Sequence, residues 1–350
     1  MKKVFVGLSG GVDSSVSAYL LKKGGYDVTG VFIRVWYPDF VVCDWRKEMH
    51  DAMRICAKLN IPFLLCDSEN EYKKNVIDYM INEYKKGNTP NPDVMCNKEI
   101  KFKSFFNFAI SRGADYIATG HYAQNKKNSE GLFSLEKSED KSKDQTYFLW
   151  NLNQDILKKT LFPIGHLKKD QVRKIAQNAN LITASKKDSQ GLCFIGHVNM
   201  KDFLSRYIKI KSGNVVNESG QIVGKHDGAV LYTIGERHGF DVSKKQNNEL
   251  PYYVIGKNIE KNILIVSKSK KIKKQNTSLK NINWITVPPE QEMILSAQIR
   301  YRQTPLKCKI SKITNNGLII DFIDEVTTLT SGQSIVFYLN NKCLGGGIIV

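Results

Sequence analysis

Three segments of this 350-residue chain hold residue types that chemistry uses, at spacings that packing alone does not require. The first is Ser9-Gly10-Gly11-Val12-Asp13-Ser14, two glycines set between hydroxyls with a carboxylate close by. It lacks the lysine of a Walker loop and the glycine spacing of a dinucleotide fingerprint. It offers backbone without Cβ and successive N–H groups where a helix would begin, a cradle for an anion such as a phosphate. A plain strand-to-helix turn, with Gly for positive φ and Ser or Asp as cap, would use the same residues.

The other two segments carry cysteine. Cys96 lies in Asn91-Pro92-Asp93-Val94-Met95-Cys96-Asn97-Lys98-Glu99, read as a Pro-punctuated loop ahead of a helix whose dipole, with Lys98, would lower a thiol pKa. Cys193 lies in Asp188-Ser189-Gln190-Gly191-Leu192-Cys193-Phe194-Ile195-Gly196, where flanking glycines suggest closely approached backbone. The remaining thiols are Cys43, Cys56, Cys66, Cys308 and Cys343. Cys56 shares a helical apolar face, and Cys308 and Cys343 sit in strand-like runs, so burial is expected for those three. Cys43 and Cys66 have no comparable neighbourhood. Seven cysteines, odd in number and without a close CxxC pair, argue against a disulfide scaffold and against a zinc ribbon.

A phosphate loop needs a strand before it and a helix after it, and the periodicity supplies both. Lys3 to Leu8 reads as a β-branched strand, and Ser14 to Lys23 places Val16, Tyr19 and Leu20 at helical spacing. The alternation continues with strands at Val28 to Val35, Pro62 to Leu65 and Tyr116 to Thr119. Helices are expected at Lys47 to Leu59, Glu69 to Lys85 and Ile100 to Arg112. This order predicts an α/β, doubly wound parallel sheet with its functional loops at the carboxyl ends of the strands.

From Asn125 to Asp144 the composition turns to Lys, Ser, Asn and Glu around a short Leu132 to Leu135 strand, which reads as an exposed, mobile insertion. Helical segments resume from Gln145 to about Tyr207. Beyond Gly213 short apolar runs alternate with turn signals at Asn217 to Gly220, Asn258 to Asn262, Asn315 to Gly317 and Asn340-Asn341, so the C-terminal half is all-β. Lysines 268, 270, 271, 273 and 274 mark a boundary. Three domains are expected, with a catalytic domain over residues 1–207, a small β-rich domain over 208–270 and a C-terminal β-barrel over 275–350.

The composition is globular, with 41% apolar residues. Lys and Arg number 52 against 34 Asp and Glu, a net charge of +18 that no single tail holds, so a polyanionic partner is the first expectation. No run of about eighteen apolar residues exists, and Met1 to Leu8 is too short for a signal peptide, so no membrane partner and a cytoplasmic location are expected.

The segment SGGVDS directly after the first strand resembles the PP-loop of ATP pyrophosphatases, which use ATP to adenylate a substrate and release pyrophosphate. NPDVMCNKEIKF and DSQGLCFIG closely resemble the two catalytic cysteine motifs of the tRNA-specific 2-thiouridylase (MnmA) family. Ala118 to Tyr122, Lys143-Asp144-Gln145, Tyr232 to Arg237 and Arg300-Tyr301 match as well, so the resemblance spans essentially the whole chain. Ile33 stands where that family usually carries Met, one apolar face for another. The loop Trp36 to Asp44 is short, and Glu236 and His238 stand where relatives favour Gln and Lys, departures that bear on RNA contacts rather than on the reaction.

The resemblance implies ATP-dependent 2-thiolation of the wobble uridine of tRNA, with AMP and pyrophosphate released. Catalytic roles fall on Cys96, Cys193 and Asp93, with Cys193 carrying a persulfide and Cys96 acting as nucleophile. ATP would be bound by Gly7, Leu8, Ser9, Gly10, Gly11, Val12, Asp13, Ser14, Ile33 and Gly120, and accompanied by Mg²⁺, with no metal held by the protein itself. Asn91, Pro92 and Asp93 would hold the target base. His121, Lys143, Asp144, Gln145, Arg300, Tyr301 and Gln333 would contact tRNA. A persulfide sulfur-carrier protein is the other implied partner, the chain acting as a monomer, and cycling through persulfide is favoured over an iron–sulfur cluster because two cysteines and Asp93 are few ligands for one. Two readings from other classes remain. An amide-forming PP-loop ligase leaves the cysteine segments unused, and a basic RNA-binding protein leaves SGGVDS unused.

Overall fold

The computed structural model describes residues 1–40, 45–187, 199–242, 250–269, 276–314 and 317–350. Strands β1 (Lys3–Gly7), β2 (Asp27–Arg34), β3 (Phe63–Asp67), β4 (Tyr116–Ala118) and β7 (Thr160–Leu161) form one sheet in the order β3-β2-β1-β4-β7. Every pairing in it is parallel. Alternate residues feed two cores: Phe5, Val31 and Ile33 join one cluster, Val4, Val6 and Phe32 the other, so the sheet is buried on both faces. Helices α1 (Val12–Lys23) and α2 (Trp45–Leu59) cover the second face. Helices α3 (residues 69–85) and α4 (residues 92–111) cover the first. The strand order reverses at β1, which places the crevice for a ligand beyond the carboxyl ends of β1 and β4.

Three expectations need correction. Helix α4 begins at Pro92 rather than Ile100, so Cys96 lies within a helix and not in a loop. Asn91 caps it by accepting from the Asp93 and Val94 N–H groups, and Pro92 sits at the first helical position, where its missing N–H costs nothing. The helix is π-wound over Asn97–Ser104, as α3 is over Lys73–Asp78. The lysine-rich stretch after Tyr122 is a hairpin of β5 (Ala123–Lys127) and β6 (Phe133–Lys137), and it is no loose insertion, because Leu135 is fully buried and β6 pairs with a strand near the C-terminus. The short β7 was not foreseen.

Helices α5 (Gln154–Lys158), α6 (Lys169–Asn178) and α7 (Met200–Ser205) complete the α/β unit. A mixed sheet follows in the order β10-β9-β8-β12-β11, comprising β8 (Gly213–Val216), β9 (Ile222–His226), β10 (Phe240–Val242), β11 (Tyr253–Asn258) and β12 (Ile263–Ser267). Then come β13 (Asn276–Trp284), β14 (Leu295–Gln298), β15 (Leu306–Thr314), β16 (Gly317–Phe322), β17 (Ser334–Leu339) and β18 (Lys342–Ile349). They run in the order β13-β16-β15-β14-β17-β18, and β18 pairs back to β13, which closes a barrel around its own core. Three of the asparagine-rich turn signals become hairpin turns in the described residues, with Gly220, Asn262 and Asn340 at positive φ. Among the described residues no helix is long and apolar enough to cross a membrane.

Candidate active site at the phosphate loop

Chain from β1 enters the loop with Leu8 buried and its N–H bonded to the Val31 carbonyl at 2.7 Å, so Gly7 and Leu8 contribute backbone while the Leu8 side chain packs. Gly10 sits at φ +68°, and a Cβ there would lie 2.5 Å from the Glu48 carbonyl of α2, so only glycine fits. The Ser9 N–H donates to the Ser14 Oγ at 3.2 Å and the two hydroxyls stand 3.3 Å apart, which folds the loop back on the first turn of α1. Ser14 and Ser15 hydroxyls both donate to the Gly11 carbonyl. The first N–H groups of a helix lack intrahelical partners, so this turn presents donors to an anion.

The segment after β4 presses against that turn. A Cβ on Gly120 would stand 2.7 Å from the Ser14 nitrogen, so β4 and the loop meet backbone to backbone. Ile33 is 5% exposed, packed beside Gly7 on the neighbouring strand. The expected nucleotide residues, Gly7 to Ser14, Ile33 and Gly120, therefore converge at the switch point of the sheet.

Two lysines, unmarked by any local motif, also reach the loop. Lys169 donates to both carboxylate oxygens of Asp13, at 2.7 and 2.8 Å, and the Tyr122 hydroxyl donates to the same carboxylate at 2.9 Å. Lys186 donates to the Gly10 carbonyl at 3.0 Å and to Asp51 of α2 at 2.9 Å. Asp13 is further tied to the 138–145 segment. Tyr122 exchanges both backbone-side bonds with Gln145, its N–H to the Gln145 Oε1 and its carbonyl to the Gln145 N–H, while the Lys169 N–H donates to Asp140.

Asn91, Pro92 and Asp93 form the entry to α4, and Cys96 follows one turn in, fully buried in the core that also holds Ile33 and Cys66. The barrel holds this entry in place. The Gln333 Nε2 donates to the Thr89 carbonyl at 2.8 Å, and the Thr89 N–H donates to the Ser331 carbonyl, also at 2.8 Å. Asn97, next to the thiol, donates to the Phe148 carbonyl, and its Oδ1 is buried with no partner among the described residues.

The residues expected to face tRNA fall into two sets. Lys143 and Gln145 lie half-buried on the 138–145 segment, and Tyr301 is half-buried against the Phe148 ring at 4.5 Å between centroids. Besides Gln145, bonded to Tyr122, and Gln333, bonded to Thr89, three others are engaged internally. Arg300 donates to the Ile234 carbonyl at 2.9 Å, tying the barrel to the middle sheet. Asp144 accepts from the Ser138 N–H and the Thr146 hydroxyl, and burial pushes its carboxyl pKa up. His121 is 6% exposed, 2.8 Å from the Thr119 hydroxyl through Nδ1 and 3.4 Å from the Lys101 ammonium through Nε2. Burial, then Lys101, holds its pKa well below the ordinary histidine value, so it is a neutral packed group here and not a surface contact.

Cys193 and the segment Asp188 to Gly196 lie outside the described residues, as does Cys43. Chain on either side is anchored: Lys186 at the phosphate loop, and Phe203 of α7 buried in the same core as Cys96. Cys56, Cys308 and Cys343 are buried as expected, and Cys66 joins them. Burial raises the thiol pKa of all four.

A parallel sheet reversing at β1, with a lysine-free glycine loop at the reversal, defines a PP-loop nucleotide-binding protein. Three family models match in succession: a tRNA methyl transferase HUP domain over residues 2–197, a tRNA methyl transferase PRC-barrel domain over 201–268, and an aminomethyltransferase beta-barrel domain over 274–349. The tRNA-specific 2-thiouridylase MnmA of Buchnera aphidicola subsp. Acyrthosiphon pisum is 49% identical, covering 99% of this chain and 96% of the relative. That of Francisella tularensis subsp. holarctica is 43% identical over 100% of this chain and 99% of the relative, and that of Lacticaseibacillus paracasei 45% over 99% and 94%. The chain belongs to the tRNA-specific 2-thiouridylase (MnmA) family.

Proposed function

We propose that the protein is an ATP-dependent tRNA-uridine 2-sulfurtransferase, replacing the C2 oxygen of the wobble uridine by sulfur. The observation that carries this reading is the end-to-end match to thiouridylases in a chain that keeps both the lysine-free phosphate loop and the two cysteine segments. A uracil carbonyl oxygen is a poor leaving group. Attack by that oxygen on the α-phosphorus of ATP expels pyrophosphate and turns it into part of an AMP leaving group.

Residues Gly7 to Ser14, Ile33 and Gly120 bind the nucleotide. Asn91, Pro92 and Asp93 hold the base, which must be flipped out of the anticodon stack to reach them. Asp93 acts as acid or base. A sulfur-carrier protein loads Cys193 as a persulfide. The terminal sulfur bonds to C2 and AMP departs. Cys96 thiolate attacks the Cys193 sulfur, so the persulfide bond breaks, a Cys96–Cys193 disulfide forms, and a thiol reductant must reopen it.

Lys143, Asp144, Gln145, Arg300, Tyr301 and Gln333 serve the tRNA, with Arg300 and Asp144 acting through the loops they hold. Residues 1–207 form the catalytic domain, with 208–270 and 275–350 gripping RNA, and the chain works as a monomer. Mg²⁺ enters with ATP. With nucleotides this ion is usually bound through phosphate oxygens and waters with one or two carboxylates, and that is the chemistry it would bring to the site. The test is mass spectrometry of wobble uridines in tRNA from cells with and without this gene. Loss of 2-thiouridine on deletion, restored by the gene but not by its Cys193→Ser form, supports the reading. Unchanged 2-thiouridine refutes it.

A further inference from the structure

The phosphate loop lacks a lysine of its own, yet two lysine ammonium groups stand within hydrogen-bond distance of it. We propose that Lys169 and Lys186 are positioning cations of the nucleotide site. They hold the loop from two sides, Lys169 by compensating the Asp13 carboxylate that a triphosphate would otherwise meet and Lys186 by anchoring the Gly10 carbonyl. The inference rests on the assignment of SGGVDS to ATP.

Each lysine has a distinct lever. Lys169 is 8% exposed, its ammonium bonded twice to Asp13, whose side chain is 31% exposed in the first turn of α1. Without that partner the Asp13 carboxylate would meet the incoming phosphates as a like charge. Tyr122, buried and bonded to the same carboxylate, can orient it but cannot neutralise it. Lys186 works on the backbone. The Gly10 carbonyl and the Gly11 N–H belong to one trans peptide plane and point opposite ways, so anchoring the carbonyl on Lys186 aims the N–H into the cradle. Gly10, at positive φ, gives that peptide a freedom of rotation that needs a clamp. Asp51 on α2 fixes the other side of the Lys186 ammonium.

Lys186 also stands seven residues before Cys193 in sequence.

The test is equilibrium binding of ATP and of adenosine to the full-length protein and to Lys169→Met, Lys169→Arg, Lys186→Met and Lys186→Arg. Loss of a charge-assisted bond predicts that each Met variant weakens ATP binding about tenfold or more, while each Arg variant stays within a few-fold of the parent. Adenosine has no phosphate for the cations to act on, so its affinity should hold in all four. Equal losses for ATP and adenosine would mean that the lysines only support packing, and unchanged ATP affinity would mean that their charge does no work. Either result overturns the proposal. If the parent protein itself fails to bind ATP, the nucleotide assignment falls first.

Discussion

Gln333 of the barrel donates its side-chain N–H to the Thr89 carbonyl at 2.8 Å, two residues before the Asn91 that starts α4. A second bond from the Thr89 N–H to the Ser331 carbonyl, and a Gly332 whose Cβ would stand 3.0 Å from Thr89 backbone, make this a close-fitting clamp between the barrel and the turn proposed to hold the base. Under the proposed function, an RNA held by the barrel would thereby be connected to the turn that receives its flipped base.

Gln333→Leu keeps the volume and removes the donor. One lost hydrogen bond of ordinary strength, about 1 kcal/mol, predicts a loss in kcat/KM for tRNA of about fivefold. ATP affinity should stay constant, because the phosphate loop lies on other strands. Steady-state kinetics with tRNA varied, beside ATP titration, checks both halves, and an equal fall in ATP affinity would rule out a local clamp.

Asn91 caps α4 and is proposed to hold the base, two roles that one pair of substitutions separates. As the helix cap its Oδ1 accepts from the Asp93 and Val94 N–H groups, so Asn91→Ala should cost about 1 kcal/mol of stability, whereas Asn91→Ser restores a capping oxygen. If the amide also holds the base, Asn91→Ser melts like the parent yet thiolates poorly. A serine variant with full activity would leave Asn91 with capping alone.

The phosphate loop, the order of sheet and helices, and the all-β C-terminal half were legible in the sequence because each is written locally, in glycine, turn residues and period. The start of α4 was misread although its signal was present. Asn91 and Pro92 looked like loop punctuation, while Asn at the cap and Pro at the first helical position are equally a helix start. Lys169 and Lys186 left no local mark, since what distinguishes them is a partner 156 or 176 residues away in the chain. The β5–β6 hairpin is similar. Its polar sequence says nothing of β18, whose Cys343 pairs with Leu135.

His121 makes the fold sensitive to acid. The unfolded chain protonates its histidines below about pH 6.5, while the folded protein, with His121 buried beside Lys101, resists the proton down to a much lower pH. The unfolded state therefore binds more protons in that window. Stability falls as pH drops through 6.5, by about 1.4 kcal/mol per pH unit once well below it. His226, also depressed by burial, adds in the same direction, so the measurement is a difference. His121→Gln should lose less stability than the parent between pH 7.5 and 5.5 in urea unfolding. Identical acid losses would mean that His121 is not the group responsible.

The two thiols give the last prediction, and the burial of Cys96 sets its form. A fully buried thiol is shielded from reagents in solution, so the resting protein should be slow to react at this position. Alkylation of Cys96 by iodoacetamide should be slow in the protein alone and faster with tRNA and ATP bound, if substrate binding opens the α4 entry. A disulfide needs the two Cα atoms within about 7 Å, a distance only the engaged complex is required to reach. Turnover without a thiol reductant should stop after about one cycle, leaving a Cys96–Cys193 linked peptide. Cys193→Ser should still consume ATP to pyrophosphate in the presence of tRNA but transfer no sulfur, and Cys96→Ser should accumulate persulfide on Cys193. Peptide mapping after a single turnover decides the matter: absence of the linked peptide, together with full thiolation by Cys96→Ser, would show that Cys193 works without a second thiol.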